Sequence, residues 1–549
     1  MMRLRHSFLL ICTLYAICAN AQRTAIADTG FVPGKLIEVI RADRENIQKK
    51  DSTTFFSLAG KAAVKQETTL FYADSIVLNQ KENFLEAFGN VHINDADTIH
   101  TYAQYLKYLG RERRAYLKKS VKLTDGKGVL TTEELEYDTQ LRIGTYLKGA
   151  KLVNGKTTLV SREGYYYGDT KDVYFKQQVV LTDPEFKMYT DTLLYNTNTE
   201  IATFVSPSRI VNGKRTIKTR EGFYNLRTKK AEFGRRPFVD DSTYTFTADQ
   251  MAFDDSTGLG HFKGNAVYRG KDSTQGFDII ANDIKTNNKK NSFLATQKPI
   301  LLVKQERDSI WIKADTLYSS RLSELTSSRK VPSIRDSSTP FIKLPPPNKD
   351  KKTPEDSTDK FFEAYYNVKI FSDSLQASCD SLFYSLKDSI FRLYKSPITW
   401  AQDNQITGDT MLLFTKNKKP ERLYVYENAL AISKAGGDYF NQLKGNTING
   451  IFKDGRMDFL RSKGNSESIY YGTDDRNAFI GVNRATADII DVFFNPEKES
   501  SKPQRVVFRS NLQGTTFPMG QVNHAEMRLR GFQWLDSKRP KSKLEILTD

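Results

Sequence analysis

Beyond its first twenty-one residues the chain keeps four histidines, and two of them, His92 and His100, stand near Asp95 and Asp97. Imidazole and carboxylate together suit zinc. A strand and its turn hold the same residue types without any metal, so no metal site is expected. Acidic or amide residues also recur at about 29-residue intervals, at Asp74, Gln104, Glu133, Glu163, Asp191, Glu221, Asp249, Asp283 and Asp315, resuming at Asp380 and Asp409. A glycosidase needs one pair of carboxylates several ångströms apart. A residue repeated in most segments is better suited to each segment's own turn or strand entry, through bonds to nearby backbone groups. There is no Gly-x-x-x-x-Gly-Lys loop, no dinucleotide glycine motif after a strand and no cysteine pair. The expectation is a protein that is not an enzyme, with no catalytic residue and no cofactor.

The same periodicity defines the elements. Val153-Asn154-Gly155-Lys156-Thr157-Thr158 returns as Val211-Asn212-Gly213-Lys214-Arg215-Thr216, and Arg162-Glu163-Gly164-Tyr165-Tyr166 returns as Arg220-Glu221-Gly222-Phe223-Tyr224, both 58 residues later, or two repeats of 29. An aromatic residue often follows the acidic one, as in Tyr108, Tyr137, Tyr167, Tyr195, Phe253, Tyr318 and Tyr384. Within a repeat the apolar residues alternate. Ala115, Leu117, Val121 and Leu123 share one face and Lys118, Ser120 and Lys122 the other, as do Val173, Phe175, Val179 and Leu181 further on. Asn154-Gly155, Asn212-Gly213, Asp125-Gly126 and Asp454-Gly455 supply residues that tolerate the positive φ of tight hairpins. Each repeat therefore holds two or three short antiparallel strands. It is too small to bury a core alone, and neighbouring repeats must stack over one shared apolar interior.

The N-terminus sets the compartment. Arg3 and Arg5 precede the apolar run Phe8 to Cys18, and Ala19-Asn20-Ala21 precedes Gln22. That is the pattern of a signal peptide over residues 1–21, its apolar run far short of the roughly 20 residues of a membrane span. A lipoprotein signal ending at Cys18 lacks the small residue expected just before the cysteine. Cys379 is then alone in the exported chain, so no internal disulfide can form. With 82 basic and 65 acidic residues the formal charge is +17. In an exported protein this points away from nucleic acid and toward phosphorylated glycolipid, an anionic membrane surface or acidic polysaccharide. It also suits a basic strand face that only maintains solubility.

The expected organisation is a lead-in over 22–66, regular repeats over 67–326, a disordered insertion over 327–360, more degenerate repeats over 361–535, and a charged, frayed tail over 536–549. The insertion is inferred from Pro345-Pro346-Pro347 and Lys349-Asp350-Lys351-Lys352 and a scarcity of apolar residues.

Ala87-Phe88-Gly89-Asn90-Val91-His92-Ile93 and Phe262-Lys263-Gly264-Asn265-Ala266-Val267-Tyr268 resemble the A-x-G-N-V-x-I strand of OstA-like proteins. Tyr72-Ala73-Asp74-Ser75-Ile76, Thr190-Asp191-Thr192-Leu193-Leu194-Tyr195 and Ala314-Asp315-Thr316-Leu317-Tyr318 resemble its A-D-x-L-x-Y strand. The chain thus resembles the OstA/LptA family of lipopolysaccharide transport proteins from about residue 70 to 320, and more loosely beyond Asp380. The resemblance implies an all-β fold, an elongated OstA-like β-jellyroll of stacked antiparallel strands. It implies a periplasmic bridge protein, free or associated with the outer membrane, that contributes to outer-membrane assembly. Its partners would be lipopolysaccharide, through acyl chains and phosphates, and other jellyroll-containing transport proteins joined by edge-strand pairing, with no nucleic acid. The inward residues that would then meet acyl chains are Val91, Ile93, Leu117, Val121, Leu123, Phe175, Val179 and Leu181. The chain is longer than a simple bridge protein and shows no segment for an outer-membrane barrel. The alternatives are a structural or protein-binding scaffold with a closed core, and a carbohydrate-active β protein.

Overall fold

The structure, a computed structural model, describes residues 36–50, 53–272, 276–305, 309–328, 359–416, 419–453, 456–474, 476, 478–494 and 503–548. The signal peptide expected over 1–21, most of the insertion expected over 327–360 and the Asp454-Gly455 turn lie outside the described residues. Among the described residues are forty strands, β1 to β40 in chain order, and two short α-helices, α1 (Leu322–Ser328) and α2 (Lys543–Thr548). No helix among them is long and apolar enough to cross a membrane. They form two compact units: up to Gly155 with Val160–Val173, and Lys156–Leu159 with Tyr174 onward.

In the first unit, β3 (Thr53–Gln66), β4 (Thr69–Asn79), β5 (Phe84–Asp95), β6 (Ile99–Leu109), β7 (Arg114–Thr124) and β8 (Gly128–Asp138) pair antiparallel with their sequence neighbours. Two such strands and their turns make up one 29-residue repeat. Each strand bends near its middle, and its halves belong to two facing leaves. This is plain at the end of β8, whose C-terminal half pairs with β9 (Ile143–Tyr146) while its N-terminal half pairs with β10 (Ala150–Asn154). In the second unit β14 (Lys187–Asn196) divides likewise between β15 (Ile201–Phe204) and β16 (Ser208–Asn212).

The bend is made by two successive left-handed residues in every other strand. In β7 these are Lys119 and Ser120, at φ 66° and 52°, and the register with β8 shifts between Lys118 and Val121. Lys119 and Ser120 together face the single residue Glu133 of β8, and because Leu117 and Val121 are four residues apart, side-chain parity in β7 is kept through the bend. Ala115, Leu117, Val121 and Leu123 are all buried, and Lys118 and Lys122 are exposed.

The corners also explain the recurrent acidic residue, and correct one expectation about it. In five corners it accepts a side-chain amide rather than a backbone group. Asn90 donates to Asp74 at 3.0 Å, Asn265 to Asp249 at 2.9 Å, Asn367 to Asp315 at 2.9 Å, Asn428 to Asp409 at 2.8 Å and Asn511 to Asp488 at 2.9 Å. Each pair ties the outer bend of one strand to its neighbour.

On either side of the insertion, β28 (Thr316–Ser320) and β29 (Phe361–Phe371) are hydrogen-bonded neighbours, Ser320 opposite Phe361. The two ends are pinned together where the Asp359 carboxylate accepts the Ser323 amide at 2.8 Å and its hydroxyl at 2.6 Å, in the first turn of α1.

The tail differs from expectation. After β40 (Gln513–Phe517) the chain runs back along the outer face of one leaf instead of fraying. Gln442 on β36 (Tyr439–Lys453) donates to Met527 O at 2.9 Å and accepts Leu529 N at 2.8 Å. Gln405 on β33 (Asn404–Thr407) brackets Gln533 O and Leu535 N in the same way, both at 2.7 Å. Arg539 Nε donates to Gln376 at 2.9 Å, and α2 rests on β27 (Ile310–Lys313) and β29 with Ile546 fully buried. Composition hid this, because the charges of residues 536–549 point outward while a few apolar residues and backbone bonds to buried glutamines hold the strap.

Candidate functional site: the space between the leaves

In the first unit the leaves close on each other. Tyr108, on one leaf, donates its hydroxyl to Gln66 on the other at 2.5 Å. Tyr137 likewise crosses to Asp95 Oδ2 at 2.6 Å, and Asp95 also takes Thr69 Oγ1 at 3.1 Å and Arg142 Nε at 3.5 Å. Burial and then the Asp95 carboxylate push the Tyr137 hydroxyl well above its ordinary value, and burial raises Tyr108. These bonds lace the two leaves together at the hairpin ends, away from the bent corners.

In the second unit a cavity of about 390 Å³ lies between the leaves. Its size falls within the range of about 300–1,000 Å³ usual for small-molecule sites. One leaf contributes Phe253, Phe262, Ile284 and Phe293, and the other Phe246, Tyr268, Ile279 and Ile312. Phe246 stacks on Phe262 with ring centroids 3.8 Å apart, and Tyr268 on Tyr244 at 5.1 Å and on Phe277 at 5.3 Å. Burial, followed by the neighbouring Tyr244, Asp241 and Asp278, pushes the Tyr268 hydroxyl up to about 12. Two basic side chains, Arg215 and Lys360, share this apolar lining. At Phe253 the aromatic series that contains Tyr108 and Tyr137 has no hydroxyl with which to cross to the other leaf. A second cavity of about 280 Å³ lies between the leaves further along, with Leu443 and Ser468 on one leaf and Leu460, Ile490 and Val492 on the other.

The eight predicted interior residues all point between the leaves. Val91, Leu117, Val121, Leu123, Val179 and Leu181 are 1% exposed, and Ile93 and Phe175 are 0% exposed. Their own neighbours cover them, and none lines either cavity. The cavity residues were missed because alternation finds an inward face without showing whether it is filled. The available signal was the run of phenylalanines at 246, 253, 262, 277 and 293, of which Phe253 stands where earlier repeats carry Tyr195 and Tyr224.

The histidine pair does not gather its neighbouring carboxylates. His92 Nε2 lies 3.2 Å from His100 Nδ1 and stacks on Tyr102 at 4.5 Å, while Asp95 turns to Tyr137 and Asp97 accepts Asn94. Burial and then His100 lower the His92 pKa. No group of three or more potential ligands could hold a metal among the described residues. Cys379 is a buried free thiol, pushed up to about 12 by burial and the Asp380 charge.

Bent antiparallel strands, stacked in repeats as two leaves over an apolar interior, make this an all-β repeat protein of the jellyroll type. Over residues 34–191 and 187–249 it matches the OstA-like protein family. Among solved structures it is similar to LptH of Pseudomonas aeruginosa, the LptA-homologous periplasmic component of the lipopolysaccharide transport device. The two are 22% identical over 20% of this chain and 79% of that one, with a TM-score of 0.18, a likeness too slight to carry an argument. No curated protein matches the chain.

Proposed function

We propose that this protein is a periplasmic lipopolysaccharide-binding and transport protein that contributes to outer-membrane assembly by holding acyl chains between its leaves. The observation that carries the reading is the aromatic-lined cavity of about 390 Å³, whose basic lining residues among the described ones, Arg215 and Lys360, can meet a phosphate. The match to the OstA-like family over residues 34–191 and 187–249 supports it. The eight buried residues from Val91 to Leu181 form a packed section of the interior in this reading, taking acyl chains when the covering side chains part. Regular repeats over 67–326 and degenerate ones over 361–535 would each supply apolar interior to hold acyl chains. Edge strands are available for pairing with other jellyrolls. Among the described residues β2 (Arg44–Lys50) pairs only with β3, and β39 (Pro503–Arg509) and β40 only with β38 (Phe479–Phe494).

A structural or protein-binding scaffold is the second reading, favoured by the tyrosine bonds that lace the first unit shut. Protein purified from a periplasmic fraction should release an acylated, phosphorylated glycolipid on solvent extraction, identified by mass spectrometry. Folded protein that carries no lipid, and takes none up from lipopolysaccharide micelles, would leave the scaffold reading standing.

A further inference from the structure

The outer faces of the leaves are not alike in the second unit. One is covered by the C-terminal strap described above. The other, across β34 (Thr410–Lys416), β35 (Lys419–Gly436), β36, β37 (Arg456–Thr473), β38 and β39, has no such cover among the described residues.

Its registers assemble a lattice of side chains. One row runs Phe414, Arg422, Ile451, Phe459, Phe493, Arg505 across the six strands. The next runs Leu412, Tyr424, Asn449, Arg461, Asp491, Val507, and a third adds Lys463 and Arg509. The arginines lie over the rings. Arg505 is 4.2 Å from the Phe493 centroid, Arg422 is 5.3 Å from Tyr424 and 5.4 Å from Phe414, and Arg461 is 5.5 Å from Phe459. Five basic residues on this face meet one acidic residue, Asp491, which is buried and shared by Arg461 and Arg509 at 2.7 and 2.8 Å.

The corresponding outer face of the first unit is balanced. Lys107, Arg114 and Lys118 there stand among Glu86, Glu134, Glu136 and Asp138, with Arg114 paired to Glu136 at 2.9 Å. The outer face of β34–β39 thus carries a basic surplus that this face of the first unit does not.

We propose that this face docks on an anionic bilayer surface, its half-exposed phenylalanines and tyrosines entering the headgroup boundary and its arginines meeting lipid phosphates. Three observations favour a membrane over a saccharide or a small anion. Its side chains stand in rows across the outer face of six paired strands, not around an enclosed site of the kind that holds a soluble ligand. It alternates ring and cation, the pairing that suits a bilayer interface. Its charge surplus complements anionic lipid. The inference concerns the outside of the leaf and stands or falls apart from any cargo between the leaves.

The test is flotation of the full exported chain with vesicles of phosphatidylethanolamine and phosphatidylglycerol, against vesicles of phosphatidylcholine alone. The protein should float with the anionic vesicles, lose this in high salt, and bind about tenfold or more weakly in the double variant Arg422→Glu, Arg505→Glu. Lys107→Glu in the first unit, with unchanged circular dichroism, should float like the wild type. Equal flotation with both vesicle types, full flotation of the double variant, or anion binding satisfied by a soluble acidic glycan that abolishes flotation at equal charge, would overturn the proposal. Lipid extracted from the interior bears on the cargo reading alone.

Discussion

Tyr137 and Asp95, 42 residues apart in sequence, meet across the interior of the first unit, the phenol donating to a carboxylate oxygen at 2.6 Å with both groups buried. Tyr137→Phe removes one bond to a charged group and leaves Asp95 with Thr69 and Arg142. The expected loss is about 1–3 kcal/mol, read by urea unfolding. The folded Tyr137 pKa is raised above its unfolded value, so the stability it contributes is present below about pH 10 and is lost as pH rises above that. The difference between wild type and variant should therefore shrink in alkali. A difference constant to pH 11 would mean that the phenol is not held by the carboxylate.

The corners make a second prediction, in which a small substitution outweighs a larger one. Gly89 sits at φ 71° with the Asp74 carboxylate where a Cβ would project. Gly89→Ala should cost about 1–2 kcal/mol from backbone conformation alone, and more from displacing Asp74. Asn90→Ala removes the exposed bond to Asp74 and places alanine at φ 44°, a conformation that asparagine tolerates better, but meets no carboxylate with its Cβ, and should cost about 0.5–1.5 kcal/mol. Thermal unfolding of the two variants checks the order.

These corners also show what could be read from the sequence. The 29-residue period, the inward parity of Leu117 and Val121 and the turns at Gly155 and Gly213 all follow from local rules, because strand alternation and positive φ leave marks on residue type. Gly89-Asn90 resembled a strand motif, and its role as a bend was hidden because the two left-handed residues keep the parity of their own strand. The strap over residues 519–548 was illegible for a different reason. Its partners, Gln376, Gln405 and Gln442, are remote in sequence, and a glutamine on an outer face reads as solvent-exposed until its backbone partner is known. The cavity was hidden because a lining residue and a packing residue are of the same types.

Asp491 carries the clearest acid-side prediction. Burial acts to raise its pKa, but the hydrogen bonds and charges of Arg461 and Arg509 outweigh it and hold the carboxyl below the ordinary carboxylate range. A depressed folded pKa contributes stability that is present above the unfolded value, near 4, and is lost as pH falls below it. Asp491→Asn should cost about 1–3 kcal/mol at pH 7. That penalty should narrow in acid, with both proteins followed by urea unfolding between pH 7 and pH 3. A penalty that stays constant across this range would show that the carboxylate charge is not what the arginines hold.

One substitution, valine to aspartate, can separate the packed section of the interior from the open one. Val121 is 1% exposed beneath its neighbours in the first unit, whereas Val303 lines the cavity of about 390 Å³ and is half-buried. At Val121 the carboxylate has no water and no partner, so the cost should fall on the fold, several kcal/mol lost in urea unfolding. At Val303 the carboxylate can be hydrated from the cavity, and the stability loss should be nearer 1 kcal/mol. The penalty should appear instead in affinity, because an acyl chain entering the cavity must strip water from the charge. Titration with a fluorescent acyl probe should therefore show Val303→Asp folded and at least tenfold weaker, with Lys118→Asp on the outer face binding as the wild type does. If Val303→Asp binds the probe normally while Val121→Asp or Val179→Asp, in whatever fraction remains folded, does not, acyl chains enter the packed section and the cavity is not their site.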